Sequence, residues 1–425
     1  MKKNISVLCG SFLIFISQLC AQMSCGSEVY ELYLKAKDPQ YDQRMEQKKS
    51  EIQEYLNNNP LPVPHSVVTI PVVFHIVWQT SSQNLPDACL ADQIASLNRD
   101  FRKLNSDITK APSQFQSIAA DVEFEFCLAS KDPQGNPTSG IERKQTTSTF
   151  GVNDNIKFTS SGGMPIWDCK KYLNIWVGEI GSVGGFSPKG CSSSSTDGVV
   201  IHWAEVGNCD KITNGDQGRT VVHEVGHWMG LSHTFQGGCS GMTSSDCASG
   251  GDLVCDTPPV AQQSFSSNCS SQPNTCSESP NQIDMIWNHM DYTHPACKVL
   301  FTNGQKALMY ASTSSCRSTI YNGTAASQVC SGTTGIASNS TPSQVLIFPN
   351  PFSEQTTIDL SMLKRSAGDV VSFSVCNVLG TEVACVQNMT ENKVQLRRTF
   401  APGVYFFRIL LNGNCMASGK LIATK

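Results

Sequence analysis

Histidines at 223, 227 and 233, with Glu224 behind the first and Gly230 ahead of the third, constrain this chain more than any other feature. At about 3.6 residues per helical turn, His223 and His227 stand at i and i+4 on one helix face, so both rings reach one point. Gly230 takes the positive φ that ends the helix and turns the chain, which brings His233 round as a third nitrogen. Three imidazoles meeting beside a carboxylate predict a hydrolytic zinc site whose fourth position is open to water. Neutral ligands leave zinc its double charge, which polarises a carbonyl and acidifies water, and Glu224 is then the general base. The alternative is a closed structural zinc, but such sites are usually rich in Cys thiolate and take four protein ligands.

The 425 residues are enough for two or three domains, and 40% apolar composition supplies a packed core. A net charge of −4 with 16% charged residues offers no basic stripe, which excludes nucleic acid and anionic membrane as expected partners. Met1-Lys2-Lys3, the apolar stretch Ile5 to Leu19 and Leu19-Cys20-Ala21 read as a signal peptide over residues 1–21. Acylation at Cys20 is the alternative, but Ser17-Gln18-Leu19 lacks the small residues expected before such a cysteine. No other apolar run is long enough for a transmembrane segment. Nineteen cysteines behind an export signal predict a disulfide framework. Without Cys9 and Cys20 seventeen remain, an odd number that predicts one free or intermolecular thiol, with Cys25 the candidate.

The predicted fold class is α+β, a mixed twisted sheet with the active-site helix laid across it, followed by a C-terminal β-sandwich. Residues 22–65 form a pro-segment of one or two helices, broken by Asn57-Asn58-Asn59-Pro60-Leu61-Pro62-Val63-Pro64. The catalytic domain spans 66–330. Val67 to Val77 is a buried strand, Leu90 to Asn105 an amphipathic helix, and Val122–Leu128 a half-buried strand. Tyr172–Val177 and Gly198–Trp203 are further strands. From Gln236 to Gln282 Gly, Ser, Asn and Cys dominate, so cross-links replace regular structure there, with pairing not legible. Residues 331–343 have the composition of a linker and 344–425 alternate through short strands. No internal repeat is visible.

With the motif at His223–His233, Asn288-His289-Met290-Asp291-Tyr292 resembles the Met-turn of the metzincin clan. Asn288, Met290 and Tyr292 stand where the pappalysin family has them. The resemblance continues through Leu231–Phe235 and through Gly251–Pro258, which is similar to the family's calcium-binding stretch, and covers about residues 66 to 315. It implies a secreted zinc endopeptidase made as a zymogen and acting on protein or peptide substrates. It further implies that Met290 floors the zinc site and that Tyr292 stabilises the tetrahedral intermediate or acts as a mobile fifth ligand. An ordinary core pair is the other reading of Met290 and Tyr292. Calcium is implied at Asp252, Asp256 and Thr257; aspartates capping turns are the other reading of that stretch. Cys25-Gly26 resembles the element that opens pro-segments in bacterial members, which implies a Cys25 thiolate on the zinc of the zymogen; a disulfide is the alternative. His289 departs from the usual aromatic residue before the Met, and with His294 it reads either as a further metal ligand or as an ordinary core or surface histidine. Relatives often favour basic residues at the cleavage site; no acid can be assigned to a pocket floor, and Asp291 is only a guess.

Residues 344–425 resemble the C-terminal sorting domain of type IX secretion cargo. Ile347–Phe352, Val378-Leu379-Gly380, Gly403–Ile409 and Gly419–Lys425 carry that likeness. It implies the secretion machinery as a partner and export to the surface or medium; a glycan- or substrate-binding sandwich is the rival. For the whole chain the contrasting reading is a zinc-containing adhesin that binds protein without cutting it, and an intact Glu224 argues against it. A non-peptide zinc hydrolase shares the metal chemistry but not the Met-turn.

Overall fold

The computed structural model describes residues 23–58, 67–191, 194–207, 217–241, 246–278, 280–330, 346–350, 352–360, 369–377, 382–386, 389, 391–397, 401–411 and 414–424. The signal peptide, most of the break at 57–64, the linker at 331–343 and Val378–Gly380 lie outside them. The chain divides into two units, residues 1–331 and 332–425.

The first unit opens with a two-residue strand, β1 (Ser24–Cys25), and two helices, α1 (Ser27–Lys37) and α2 (Tyr41–Asn58). There follow β2 (Val68–Trp78), α3 (Asp87–Phe101), a single turn α4 (Ser113–Gln116), β3 (Phe124–Leu128) and β4 (Ile141–Gln145). Next come β5 (Leu173–Gly178), β6 (Val183–Phe186), β7 (Val199–His202) and the histidine-bearing α5 (Arg219–Trp228). The unit closes with α6 (Asn303–Cys316), α7 (Ser318–Tyr321) and α8 (Thr324–Val329).

One mixed sheet runs β1-β6-β7-β5-β2-β3, with β4 also on β2. The long β2 pairs with β3 through Val68–Val72 and with β4 through Phe74–Trp78, so two short strands share one side of it. All pairings are parallel except that of β6 with β7, and β1 lies parallel on the outer edge of β6. The pleat sorts side chains by face. Ile175, Val177, Val199 and Ile201 meet Val221, Val222, Val225 and Trp228 of α5, with Leu90, Leu97 and Phe101 of α3 in the same core. Trp176 and Val200 point to the opposite face, where Phe186 and Tyr30 join them.

The strands read as apolar runs are present as β2, β5 and β7. Helix α3 starts three residues earlier than Leu90 and stops at Phe101, because Lys103 takes a φ of 51° that no helix accepts. Strand β3 begins at Phe124, after Glu123 at φ 61°. Strands β4 (Ile-Glu-Arg-Lys-Gln) and β6 (Val-Gly-Gly-Phe) have no apolar run and are strands because a neighbour offers them an edge.

Between α5 and α6 the described chain has no strand and only a short 3-10 turn at Pro295–Cys297. Three disulfides, Cys239–Cys276, Cys247–Cys255 and Cys269–Cys297, stand in for regular structure. Cys127–Cys330 and Cys191–Cys316 bind the last helices to the sheet side. Among the described residues Cys25, Cys169, Cys376 and Cys385 are free, which corrects the expectation of one free thiol. An odd count sets a minimum of one and no maximum.

The second unit is a β-sandwich. One sheet orders β11 (Glu382–Val386), β10 (Val371–Cys376), β13 (Gly403–Leu411) and β14 (Asn414–Ala423); the other orders β12 (Lys393–Arg397), β9 (Gln355–Asp359) and β8 (Leu346–Phe348). Ile358 and Leu396 from the smaller sheet meet Val371, Phe373, Val375 and Ile409 from the larger in one core. Among the described residues no helix is long and apolar enough to cross a membrane.

Candidate active site

Helix α5 is buried at every position but Thr220, and each end is held by an arginine. Arg219, fully buried, donates to Asp100 (3.2 Å), to Asp107 (2.8 and 2.9 Å) and to the Pro295 carbonyl (3.2 Å). Arg317 donates to the Trp228 carbonyl (3.1 Å) and to Asp197 (2.6 Å), which also accepts the Trp228 indole N–H. A cation satisfying the last carbonyls suits a helix C-terminus. At the N-terminus, where a cation is unfavourable, two carboxylates offset it. Gly226 admits Met290 beneath the helix: a methyl group there would stand 2.5 Å from Met290 Sδ.

His223, His227 and His233 are buried and their Nε2 atoms converge, with His227 Nε2 at 3.2 Å from His223 Nε2 and 3.0 Å from His233 Nε2. Gly230 has φ 101°, and a side chain there would strike Ser312 at 2.7 Å. His223 Nδ1–H donates to the His289 carbonyl (2.6 Å) and His227 Nδ1–H to the Leu231 carbonyl (2.8 Å), which leaves both Nε2 lone pairs facing inward. Burial first, then mutual repulsion, pushes His223 and His227 far below the ordinary imidazole range, and burial with nearby lysines does the same for His233, so all three are neutral. Cys25 Sγ stands 3.6 Å from His227 Nε2. The four ligand atoms all lie within 4.8 Å of one another.

This donor set fits zinc. Around one tetrahedral cation with bonds of about 2.1 Å to nitrogen and 2.3 Å to sulfur, nitrogens stand about 3.4 Å apart and sulfur stands about 3.6 Å from nitrogen. Lone pairs held face to face at the distances found here repel one another unless a cation lies between them.

Glu224 is buried beside the histidines. Its Oε2 accepts the Ser27 hydroxyl at 3.1 Å and its Oε1 is left without a hydrogen bond. Burial lifts the carboxyl to about 7 against the opposing pull of Cys25, Ser27 and Lys298. Tyr292 lies edge-on to His233 at 4.7 Å and donates its hydroxyl to the Cys25 carbonyl at 3.2 Å. Burial also pushes the phenol far up, so it remains a donor. The turn carrying it is braced by the reciprocal amide pair Asn288–Gln305 (2.9 and 3.0 Å) and by Asn288 Oδ1 accepting Met290 N–H at 2.9 Å.

Strand β1 and the start of α1 cover this site. Strand β1 sets Cys25 opposite Gly185, and Gly26 N–H donates to the Gly185 carbonyl at 2.7 Å. The first turn of α1 anchors the segment. Ser27 Oγ bridges Glu224 and Ser187 N–H (3.0 Å), and buried Tyr30 packs on Phe186 while donating to Asp154 (2.7 Å) and accepting from Lys157 (2.9 Å).

None of the other residues singled out from the sequence adds a side-chain ligand atom to this cluster. Asp252 accepts Thr257 Oγ1 (2.7 and 2.9 Å) and Val254 N–H, and burial lifts it to about 7. Asp256 turns the other way, accepting Thr302 Oγ1 (2.6 Å) and Gly304 N–H (2.8 Å) at the start of α6. His289 is a core residue whose ring lies tilted against Phe301 at 4.6 Å, and burial pushes it down to about 3. His294 caps a 3-10 turn through Nδ1. Asp291 is spent on Thr293 and Thr234 and does not line the pocket beside His223 and Glu224. The sequence reading passed over Arg219, Ser27 and Lys298. Arg219 had a signal: a charge four residues before His223 shares the buried face of its helix.

Residues 163–313 match the family described as pregnancy-associated plasma protein-A, and residues 346–424 match the secretion system C-terminal sorting domain. An extracellular metalloprotease of Colletotrichum graminicola is 30% identical over 257 residues, covering 58% of this chain and 76% of that protein. One of Podospora anserina is 44% identical over 255 residues, covering 57% and 73%. Among solved structures, a Glu-to-Ala mutant of Tannerella forsythia promirolysin is 34% identical with a TM-score of 0.60, covering 72% of this chain and all of that one. Mature mirolysin of the same organism, in complex with a cleaved peptide, is 36% identical with a TM-score of 0.54, covering 63% and 100%.

Proposed function

The chain belongs to the pappalysin family of metalloproteases and carries a type IX secretion sorting domain, and on that premise we propose that it is a zinc endopeptidase made as a zymogen and closed by its own Cys25. The observation that carries this reading is the convergence of three neutral Nε2 lone pairs and the Cys25 sulfur on one point. His223, His227 and His233 would hold zinc. Bound there, the metal supplies Lewis acidity toward a scissile carbonyl and toward water.

The protein's own groups do the rest. Glu224, with Oε1 unengaged, takes the proton of the attacking water and passes it to the leaving amine. Tyr292 already donates to a peptide carbonyl, that of Cys25, and the same hydroxyl serves a substrate carbonyl as it becomes an oxyanion. Met290, beneath Gly226, holds the floor of the site. Removal of the pro-segment, residues 22–65, frees the edge of β6, to which a substrate strand adds by backbone hydrogen bonds. Residues 1–21 act as the signal peptide, 66–330 as the peptidase and 344–425 as the export signal beyond a linker, by a route through the periplasm. Calcium held by the Asp252, Asp256 and Thr257 stretch is part of the same proposal.

Metal analysis of the purified full-length protein should find one zinc per chain, and calcium besides if Asp252 and Asp256 hold it. Cys25→Ala should cut unfolded protein without prior processing, at a rate at least about tenfold above the intact zymogen. A chelator should abolish cutting and zinc should restore it. Zinc-loaded, processed protein that cuts no unfolded substrate would refute the peptidase reading.

A further inference from the structure

Tyr30 belongs to the segment before residue 65, but the socket that buries it completely is built largely by the residues after it. Its ring meets Phe186 of β6 at 4.8 Å, with Trp176 of β5, Val200 of β7 and Ile156 in the same cluster. The far end of the socket is polar. The Tyr30 hydroxyl donates to Asp154 Oδ1 at 2.7 Å and accepts from Lys157 Nζ at 2.9 Å. Asp154 and Lys157 are 4% and 1% exposed and pair with each other at 3.1 Å. An ammonium has three N–H donors, and Lys157 spends them on Asp154, on the Thr196 carbonyl at 2.8 Å and on Tyr30. The first two partners do not depend on Tyr30. The turn bearing the ion pair is closed by Lys157 N–H on the Asp154 carbonyl at 2.9 Å, and Trp176 is fixed by its indole N–H on the Met164 carbonyl at 2.9 Å. Lys37, at 4.0 Å from Asp154 Oδ2, lies on α1 and leaves with Tyr30. Departure of α1 therefore uncovers an apolar slot that ends in one N–H of a buried ammonium and one carboxylate oxygen, each at the position that met a phenol. This slot lies on the face of the sheet away from α5, so its occupant does not compete with what meets the histidines.

We infer that in the processed peptidase the socket of Tyr30 is an exosite that takes a tyrosine side chain of the protein substrate. This rests on the zymogen reading above and names a substrate class for it. A phenol satisfies both polar groups at once, since its hydroxyl gives a hydrogen to Asp154 and takes one from Lys157 while its ring refills the apolar slot. Phenylalanine fits the slot but leaves a buried donor and a buried acceptor without their partner. A phosphorylated tyrosine brings negative charge against Asp154, and a lysine or arginine brings a cation against Lys157, so both are rejected. The exosite supplies affinity and no chemistry. Its contacts are equally strong before and during bond cleavage, so they lower KM and leave kcat unchanged.

The probes are p-cresol, which reproduces the tyrosine side chain, and toluene, which reproduces that of phenylalanine. Each is added to the zinc-loaded processed protein and followed by ligand-observed NMR. p-Cresol should bind at least about tenfold more tightly than toluene. It should not bind the full-length protein, whose socket is filled. It should bind full-length Tyr30→Ala, in which Cys25 still lies against the histidines. In turnover by the processed enzyme, p-cresol should raise KM for an unfolded tyrosine-rich protein at least about threefold without changing kcat, and should leave a short tyrosine-free peptide unaffected. Equal binding of the two probes, no binding to the processed protein, equal binding to the unaltered full-length protein, or equal inhibition of the short peptide would each overturn the exosite while leaving the peptidase intact. Processed protein that binds p-cresol but cuts no protein at all would overturn the peptidase reading and the substrate role of the socket with it.

Discussion

Glu224→Gln should bind zinc as the unaltered protein does and lose peptide-bond cleavage by about 100- to 10,000-fold. The exchange keeps the size and shape of a fully buried side chain, so α5 and its histidines stay in place. What is lost is the capacity to take a proton at Oε1. The amide can still accept the Ser27 hydroxyl that Glu224 Oε2 accepts here, so the packing of α1 on the site and folding should be unaffected. Turnover of a quenched peptide by the processed variant, read beside its zinc content, makes the comparison. Equal zinc with turnover within about threefold of the unaltered enzyme would remove Glu224 from the proton-transfer role.

Arg219→Met should destabilise the first unit by about 3–5 kcal/mol, because it takes away the buried cation that Asp100 and Asp107 share and leaves each with one partly exposed partner, Arg99 or Lys110. Arg219 and Asp100 have no exposed side-chain surface, and Asp107 is mostly covered. Burial works to raise both aspartates, yet hydrogen bonds and charge from Arg219, with Arg99 at Asp100, hold both below the usual carboxylate range. The sign of the pH dependence follows. An acid whose native pKa is depressed contributes stability that is complete above its unfolded value of about 4 and is lost as pH falls through the native value. In the variant the two under-compensated acids are relieved by protonation, so the gap between the two proteins should be widest near neutral pH and narrow below about pH 4. All six tryptophans lie between Trp78 and Trp287, so urea unfolding followed by their fluorescence reports the first unit alone. A gap under about 1 kcal/mol at neutral pH would show that the network does not hold α5.

The parts of this molecule legible in its sequence are those whose physics is local. The histidine spacing is set by the helical repeat, and Gly230 by the sign of one dihedral angle. Strands β2, β5 and β7 are continuous apolar runs that are buried wherever they fall. Strand β6 is different. Val183-Gly184-Gly185-Phe186 carries no pattern, and its importance comes from being the edge that β1 occupies. Arg219 meets carboxylates more than a hundred residues away, and the three disulfides after α5 pair in an order that spacing does not determine. Asp252 and Asp256 stand four residues apart in the sequence, and which hydroxyl each accepts, that of Thr257 or that of Thr302, is set by the fold and not by the spacing. Asp291, adjacent to Tyr292, was the acid nearest to hand, and its hydroxyl partners keep it out of the pocket beside Glu224.

X-ray absorption at the zinc edge tests the central claim most directly. The full-length protein should show three nitrogen neighbours at about 2.0–2.1 Å and one sulfur at about 2.3 Å, and the sulfur should vanish in Cys25→Ala and on removal of the pro-segment. A zymogen spectrum without sulfur, or one with several sulfurs, would contradict a three-histidine site closed by Cys25.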